Sequence, residues 1–100
     1  MAVTTGTSIL LGIENHRREC GGAHSNWYAG IAADPKDRLF NGHGAVKDSD
    51  AWIYRDAGTS NAARAIEKAL LSLGYDGGDG GGDGSSQYVY AYKKSSHTNP

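Results

Sequence analysis

The chain lacks several features that would narrow its class directly. It has a single cysteine, Cys20, so no intramolecular disulfide can form, and a reducing compartment is the simpler assumption. No apolar run approaches the roughly 18 residues of a membrane-spanning helix, and the N-terminus shows no signal-peptide pattern. The formal net charge of −1 argues against a strong non-specific nucleic-acid binder, although a local basic patch is compatible with it. We therefore expect a cytoplasmic protein that does not associate with a membrane.

What the chain does contain suits one small domain. Its length of 100 residues is near the size at which a single hydrophobic core is sufficient, so residues 1–100 are interpreted as one domain. The glycine count of 15 is high, and many of these glycines fall in the segment DGGDGGGDGSS. That composition predicts a flexible loop over 76–86. The polar last six residues, 95–100, are predicted to be a disordered tail.

Hydrophobic periodicity divides the rest into helices and strands in alternation. The predicted helices cover 7–20, 34–42 and 59–74, and the predicted strands cover 26–32, 51–55 and 87–93. The fold class is therefore α/β, a small three-stranded and mainly antiparallel sheet with about three helices. One face of the sheet is expected to pack against helices through Ala29, Ile31, Ile53, Val89 and Ala91. The core stripe of the third helix is predicted to be Ala63, Ile66, Leu70 and Leu73.

The stretch WYAGIAADPKDRLFNGH, from Trp27 to His43, carries three reactive side chains at defined offsets. Tyr28 lies in the strand, Arg38 follows ten residues later, and His43 follows five residues after that. A phenol, a permanently charged guanidinium and an imidazole are all suited to phosphodiester chemistry.

This layout resembles the second half of the signature of the GIY-YIG nuclease family, in which a Tyr-x-Gly strand precedes a helix that carries an arginine and then a histidine. The resemblance covers roughly residues 26–74. It implies that Tyr28 is the strand tyrosine, with Gly30 as its glycine, and that Arg38 binds the scissile phosphate. It further implies that His43 relays a proton or orients a tyrosine. Glu67, in a later helix, would hold one Mg²⁺ or Mn²⁺ ion.

The sequence departs from the family pattern before Tyr28. The Gly-Ile-Tyr strand is absent there, and the residue eleven positions earlier is Arg17. The family's late asparagine also has no clear counterpart. We hypothesise that the C-terminal strand QYVYAYK takes the place of the missing strand, in a circularly permuted arrangement. Tyr88 or Tyr90 would then stand in for the absent tyrosine, with Tyr90 as a catalytic residue.

The tyrosines of that last strand allow two interpretations. Tyr88, Tyr90 and Tyr92 share one face, where they either cover the sheet or present rings on which unpaired bases stack. In the second case Tyr88 and Tyr92 would bind substrate, and Arg55 and Lys93 would add phosphate contacts.

The residues of the signature also have ordinary structural interpretations. Tyr28 would then be a half-buried strand tyrosine, Arg38 a surface charge beside Asp34, and Glu67 a partner of Arg64 or Lys68.

Three functions are compatible with this pattern. The first is metal-dependent hydrolysis of DNA or RNA by a small GIY-YIG-like nuclease. The second is a catalytically inactive protein of the same fold, such as a phage or mobile-element accessory protein that binds nucleic acid or a host protein. The third is an unrelated α/β interaction module.

Overall fold

Helices and strands alternate along the described chain in the predicted order. The computed structural model describes residues 5–77 and 85–100, with side chains from residue 7 onward. Its elements are helix α1 (Thr5–Cys20), strand β1 (Trp27–Ala32), a π-helix (Asp37–Gly42), strand β2 (Trp52–Asp56), helix α2 (Ser60–Leu73) and strand β3 (Tyr88–Lys93). The fold is a small compact α/β domain, as predicted. No helix in this described part is both long and apolar enough to cross a membrane.

Strand β3 lies in the middle of the sheet, between β1 and β2, and pairs antiparallel with both. In the register with β1, Tyr28 is opposite Tyr92 and Gly30 is opposite Tyr90. In the register with β2, Tyr54 is opposite Tyr90. Because residues directly opposite one another share a face of the sheet, all of these side chains lie on one side. The hypothesis that the C-terminal strand lies beside the Tyr28 strand is confirmed.

The other face of the sheet packs against α1 and α2 and forms the main core. The strand residues predicted for this face are all buried in it, namely Ala29, Ile31, Ile53, Val89 and Ala91. Ile13 of α1 and Leu70 of α2 are fully buried in the same cluster. The alternation of apolar residues in the strands was therefore sufficient to predict which face meets the helices.

The end of α2 differs from the predicted core stripe. Thr59 caps the start of the helix, since its Oγ1 accepts a hydrogen bond from the Ala62 amide at 3.1 Å. At the other end, Leu73 is 45% exposed, so its prediction as a core residue is wrong. The chain leaves the helix at Gly74, whose φ of 117° is the left-handed conformation that glycine favours. That turn buries the Tyr75 side chain in the core instead.

The face of the sheet that carries Tyr28, Tyr54, Tyr88, Tyr90 and Tyr92 is called the tyrosine face. It packs against the segment that joins β1 to β2. Leu39 of the π-helix is fully buried in a cluster with Tyr90 and Tyr92. The sequence predicts an ordinary helix here, with Asp34 as its cap, and the Asp37 amide does donate to Asp34 Oδ1 at 3.1 Å. The wider π-helical turn that follows is a local geometry often found at functional sites.

The last six residues, for which the sequence predicts disorder, form a turn that returns to the sheet. The Ser95 amide donates to Thr98 Oγ1 at 2.9 Å, and Thr98 is buried. The Asn99 amide donates to the His43 carbonyl at 2.7 Å. The structure differs from the expectation because these contacts combine the Thr98 side chain with backbone groups of Asn99 and His43, and the backbone groups carry no sequence signature.

The predicted flexible loop over 76–86 is described only at its two ends, and residues 78–84 lie outside the described residues. At its start, Asp76 forms a parallel bridge on the free edge of β1. The Asp76 amide donates to the Trp27 carbonyl, and the Ala29 amide donates to the Asp76 carbonyl, both at 2.8 Å. This bridge covers part of an edge strand that would otherwise present unpaired backbone groups.

Candidate active site

Tyr90 lies at the centre of the tyrosine face and crosses over Gly30. A Cβ atom placed on Gly30 would lie 2.6 Å from the Tyr90 Oη, closer than any real contact of that kind. Only glycine leaves room for the ring to lie flat across β1. Gly30, the glycine that the resemblance pairs with Tyr28, therefore makes room for the Tyr90 ring of the neighbouring strand.

His43 contacts Tyr90 directly and lies just after the π-helix. Its Nε2 is 2.7 Å from Tyr90 Oη, and its Nδ1 is 2.7 Å from the Asn99 carbonyl oxygen. The Tyr92 hydroxyl is 3.2 Å from the same Nδ1. The imidazole is only 7% exposed. A phenol and a ring nitrogen at this distance share a hydrogen bond along which a proton can move.

The surroundings of this pair favour neutral forms of both groups. Burial lowers the pKa of His43, the Asn99 carbonyl opposes this, and the positive charge of Arg38 lowers the pKa further. Burial raises the pKa of Tyr90, and the charges of Tyr28 and Glu67 raise it further, whereas Arg38 lowers it. At neutral pH the imidazole is therefore uncharged and able to accept a proton.

The remaining predicted residues also influence Tyr90. Tyr28 and Glu67 raise the pKa of its hydroxyl, and Arg38 lowers it. All three are half-buried, in contrast to Tyr90, which is 1% exposed. The Tyr28 ring also contacts His43, with 4.7 Å between the ring centroids. Contacts thus join Tyr28, His43 and Tyr90, and the His43 amide donates to the Arg38 carbonyl at 2.8 Å. Glu67 is linked to these residues through its effect on the pKa of Tyr90.

The residues predicted to bind substrate do not join this cluster as a group. Arg55 and Lys93 alternate with the tyrosines along their strands, so they lie on the opposite side of the sheet. Arg55 instead donates to the Tyr54 carbonyl at 2.8 Å. Tyr92 is 0% exposed, so no base can stack on its ring. Among the predicted substrate-binding residues, Tyr88 alone presents a half-exposed ring on the tyrosine face.

A row of half-exposed aromatic rings does extend across β2 toward Tyr88. Trp52 and Tyr54 are stacked with 6.0 Å between centroids, and Tyr54 meets Tyr88 edge-on at 6.2 Å. A cleft of about 320 Å³ opens beside this row. It is lined by Ala33, Asp34, Pro35, Lys36, Tyr54 and Tyr88. Trp52 and Tyr54 were not among the predicted site residues, although their alternation in β2 was a usable signal.

The Asn99 carbonyl was also missed, and no sequence signal could have identified it. It contacts His43 across 56 residues of sequence and does so through the backbone, which every residue type carries. The side-chain identity at position 99 is therefore uninformative about this contact.

A second buried polar cluster lies on the helix side of the sheet. Glu14 accepts a hydrogen bond from the Tyr75 hydroxyl at 2.7 Å and contacts Arg17 at 3.3 Å and His24 at 3.0 Å. Burial raises the pKa of Glu14, but the hydrogen bonds from Tyr75, Arg17 and His24 outweigh this and lower it to about 2. Every oxygen of this carboxylate is thus occupied by protein donors.

Tyr28, Arg38, His43, Glu67 and Tyr90 are called the Tyr90 cluster. Among the described residues, this cluster offers a divalent cation one carboxylate, that of Glu67. Within residues 5–77 and 85–100, no group of three His, Cys, Asp or Glu side chains is placed to hold a metal ion. Magnesium commonly binds through one or two carboxylates, with waters and substrate phosphates as its other ligands. A single carboxylate such as that of Glu67 fits that mode of binding, in which the substrate would complete the coordination.

No family model, curated protein or solved structure matches this chain. The functional assignment therefore depends on the residues of the Tyr90 cluster and on their arrangement.

Proposed function

We propose that this protein hydrolyses phosphodiester bonds in DNA or RNA, as a small GIY-YIG-like nuclease in which β3 takes the place of the family's first strand. The observation that carries the proposal is the 2.7 Å hydrogen bond between Tyr90 and His43, with the Tyr28 ring packed on His43 at 4.7 Å between centroids. Arg38 and Glu67 add opposite electrostatic effects on the pKa of Tyr90. Four separate elements of the fold, together with the residue after the π-helix, contribute these side chains. Such a convergence of titratable groups is typical of active sites.

Each group has a role that its chemistry supports. The attacking water forms a bond to phosphorus as the bond to the leaving sugar oxygen breaks. The water gives a proton to the Tyr90 hydroxyl, which gives its own proton to His43 Nε2, and the imidazolium returns that proton to the departing oxygen or to solvent. Arg38 binds the phosphate and stabilises the negative charge that develops on it. Tyr28 is half-exposed, so its hydroxyl can contact the substrate phosphate or the attacking water.

Glu67 would hold the divalent cation, Mg²⁺ or Mn²⁺. When bound, such an ion polarises the phosphate and lowers the pKa of a coordinated water. The carboxylate contributes the fixed negative charge that attracts the ion to the phosphate side of the cluster.

The direct test compares the wild-type chain with Glu67→Gln on plasmid DNA, single-stranded DNA and single-stranded RNA, with Mg²⁺, with Mn²⁺ and with EDTA. We expect metal-dependent cleavage by the wild type and a loss of about 100-fold or more in Glu67→Gln. The matched control is Glu19→Gln, which removes an exposed carboxylate of α1 and should leave cleavage unchanged. Full activity of Glu67→Gln, or equal losses in both variants, would contradict the metal assignment.

A second candidate function is binding without cleavage, as expected of an inactive phage or mobile-element accessory protein. The observation that favours it is the half-exposed aromatic row of Trp52, Tyr54 and Tyr88 beside the Lys36 cleft. Base stacking contributes about 1–3 kcal/mol per base. In EDTA, quenching of Trp52 fluorescence by single-stranded oligonucleotides, weakened by salt and by Tyr54→Ala, would support this function. Binding to no nucleic acid would instead favour a host protein as partner.

A further inference from the structure

The tail segment of residues 95–99 determines which nitrogen of His43 carries the proton. The Asn99 carbonyl oxygen lies 2.7 Å from His43 Nδ1, and a carbonyl can only accept a hydrogen bond. Nδ1 must therefore carry a hydrogen, because two acceptors at that distance would repel each other. In the neutral ring this leaves the lone pair on Nε2, which faces the Tyr90 hydroxyl at 2.7 Å. The Tyr92 hydroxyl near Nδ1 can donate or accept and so does not decide the tautomer.

The carbonyl is held in place by contacts of the Asn99 amide and of the residues that precede it. The Asn99 amide donates to the His43 carbonyl at 2.7 Å, so the two residues are joined by two hydrogen bonds. One step earlier, Thr98 is buried in a turn closed by Ser95. The His97 side chain forms a hydrogen bond with the Asp50 carboxylate, which anchors the turn to the loop before β2. The tail therefore presents one fixed acceptor to the imidazole.

We propose that Asn99, through its backbone carbonyl, is a positioning residue that keeps His43 in the Nδ1–H tautomer, so that Nε2 accepts the proton of Tyr90. The mechanistic half of this inference rests on the proposed nuclease function, whereas the tautomer itself does not. In the other tautomer, Nε2 would carry a hydrogen and the Tyr90 hydroxyl would lose its acceptor. A base oriented by a third group is the general arrangement of catalytic triads.

The test uses the full-length chain with ¹⁵N-labelled histidine, because protonated and unprotonated ring nitrogens differ widely in chemical shift. We expect His43 of the wild type to show a protonated Nδ1 and an unprotonated Nε2 at neutral pH. Asn99→Pro removes the amide that holds the tail on His43 and should give a mixture of tautomers. Asn99→Ala keeps the backbone donor and acceptor and should match the wild type. Circular dichroism checks that each variant is folded.

Cleavage of the best substrate is measured on the same three proteins. We expect Asn99→Pro to lower kcat by about 10-fold to 100-fold, with KM little changed, because the proposed role of the tail acts on His43 and not on substrate binding. Asn99→Ala should stay within about twofold of the wild type. A loss in both variants would show that the side chain acts, and would overturn the role of the carbonyl.

The two proposals fail in different ways. A wild-type His43 protonated on Nε2 overturns the tautomer assignment, whatever the activity. If Asn99→Pro leaves the tautomer unchanged, the positioning role of Asn99 is overturned. The expected tautomers in a protein that cleaves none of the substrates would retain the positioning by Asn99 and remove the nuclease function.

Discussion

The two buried polar clusters on opposite faces of the sheet differ in what their tyrosine can do. Tyr75 donates to Glu14 and Tyr90 contacts His43, both at 2.7 Å. The Glu14 carboxylate has a pKa of about 2, so proton transfer to it from a phenol is strongly unfavourable. The His43 imidazole starts from an ordinary value of 6.5 and lies much closer to the phenol in proton affinity, although burial lowers its pKa. The first cluster holds charged groups together, whereas the second joins two groups that are neutral at pH 7 by one hydrogen bond.

The difference follows from the number of hydrogen-bond donors around each acceptor. Glu14 is surrounded by a phenol, a guanidinium and a histidine, which together satisfy a charge that burial would otherwise penalise. His43 has one fixed acceptor on Nδ1 and one phenol on Nε2, which leaves the ring neutral. The comparison indicates that a buried tyrosine is a structural element or a candidate catalyst according to its partner.

The largest expected effect is on cleavage, and it distinguishes Tyr90 from Tyr75. Tyr90→Phe removes the hydroxyl that contacts His43 and should lower cleavage by about 100-fold or more, because the proton relay is lost. Tyr75→Phe removes a matched hydroxyl and should leave cleavage unchanged while it lowers stability by about 1–3 kcal/mol. Cleavage rates and urea unfolding of both variants provide the measurement. Similar cleavage by the two variants would contradict a catalytic difference between the clusters.

The next largest effect tests how closely the Tyr90 ring packs over Gly30. Gly30→Ala places a methyl group 2.6 Å from the Tyr90 hydroxyl, so the ring must move away from His43. We expect a loss of stability of about 1–3 kcal/mol and at least a tenfold loss of cleavage. Gly12→Ala in α1 is the control, because a Cβ there meets nothing within 4 Å. That variant should be unchanged or slightly more stable.

A smaller effect is the loss of folding stability at acidic pH that the Glu14 cluster predicts. Because the folded-state pKa of Glu14 is depressed from 4.5 to about 2, its contribution to stability is present above pH 4.5 and is lost as the pH falls toward 2. The linked loss is about 3 kcal/mol. Urea unfolding of the wild type between pH 7 and pH 2 should show it. In Glu14→Gln the stability at pH 7 should be lower, and this part of the pH dependence should be absent.

The smallest expected effect concerns the cations on the helix side. Arg55→Gln and Lys93→Gln should leave cleavage within about twofold of the wild type, since they lie across the sheet from Tyr90. Arg38→Gln is the contrast, because that guanidinium acts on the Tyr90 hydroxyl. A large loss in Arg55→Gln would mean that the substrate contacts both faces of the sheet.

Much of the fold could be predicted from local pattern. The two-residue alternation of β1, β2 and β3 predicted which face meets the helices, and Thr59 and Gly74 predicted the ends of α2. Leu73 was placed in the core because helical periodicity continues to the last turn. It is exposed because the chain turns away there and Tyr75 takes the buried place.

The site could be predicted only in part. The spacing from Tyr28 to Arg38 and His43 was visible in the sequence, and so was the tyrosine-rich last strand. The closeness of Tyr90 to these residues was a hypothesis, because it depends on where β3 enters the sheet. Burial of Tyr92 and the contact of Asn99 with His43 were not predictable.

The sequence by itself determined the element order, the caps of α2 and the face that each strand residue takes, because these depend on neighbours a few positions away. Only the tertiary structure decided that β3 lies between β1 and β2, which seats Tyr90 over Gly30. It also decided that the tail returns to His43. The physical reason is that these contacts join residues 47 to 60 positions apart, through backbone groups and steric fit that local sequence does not encode.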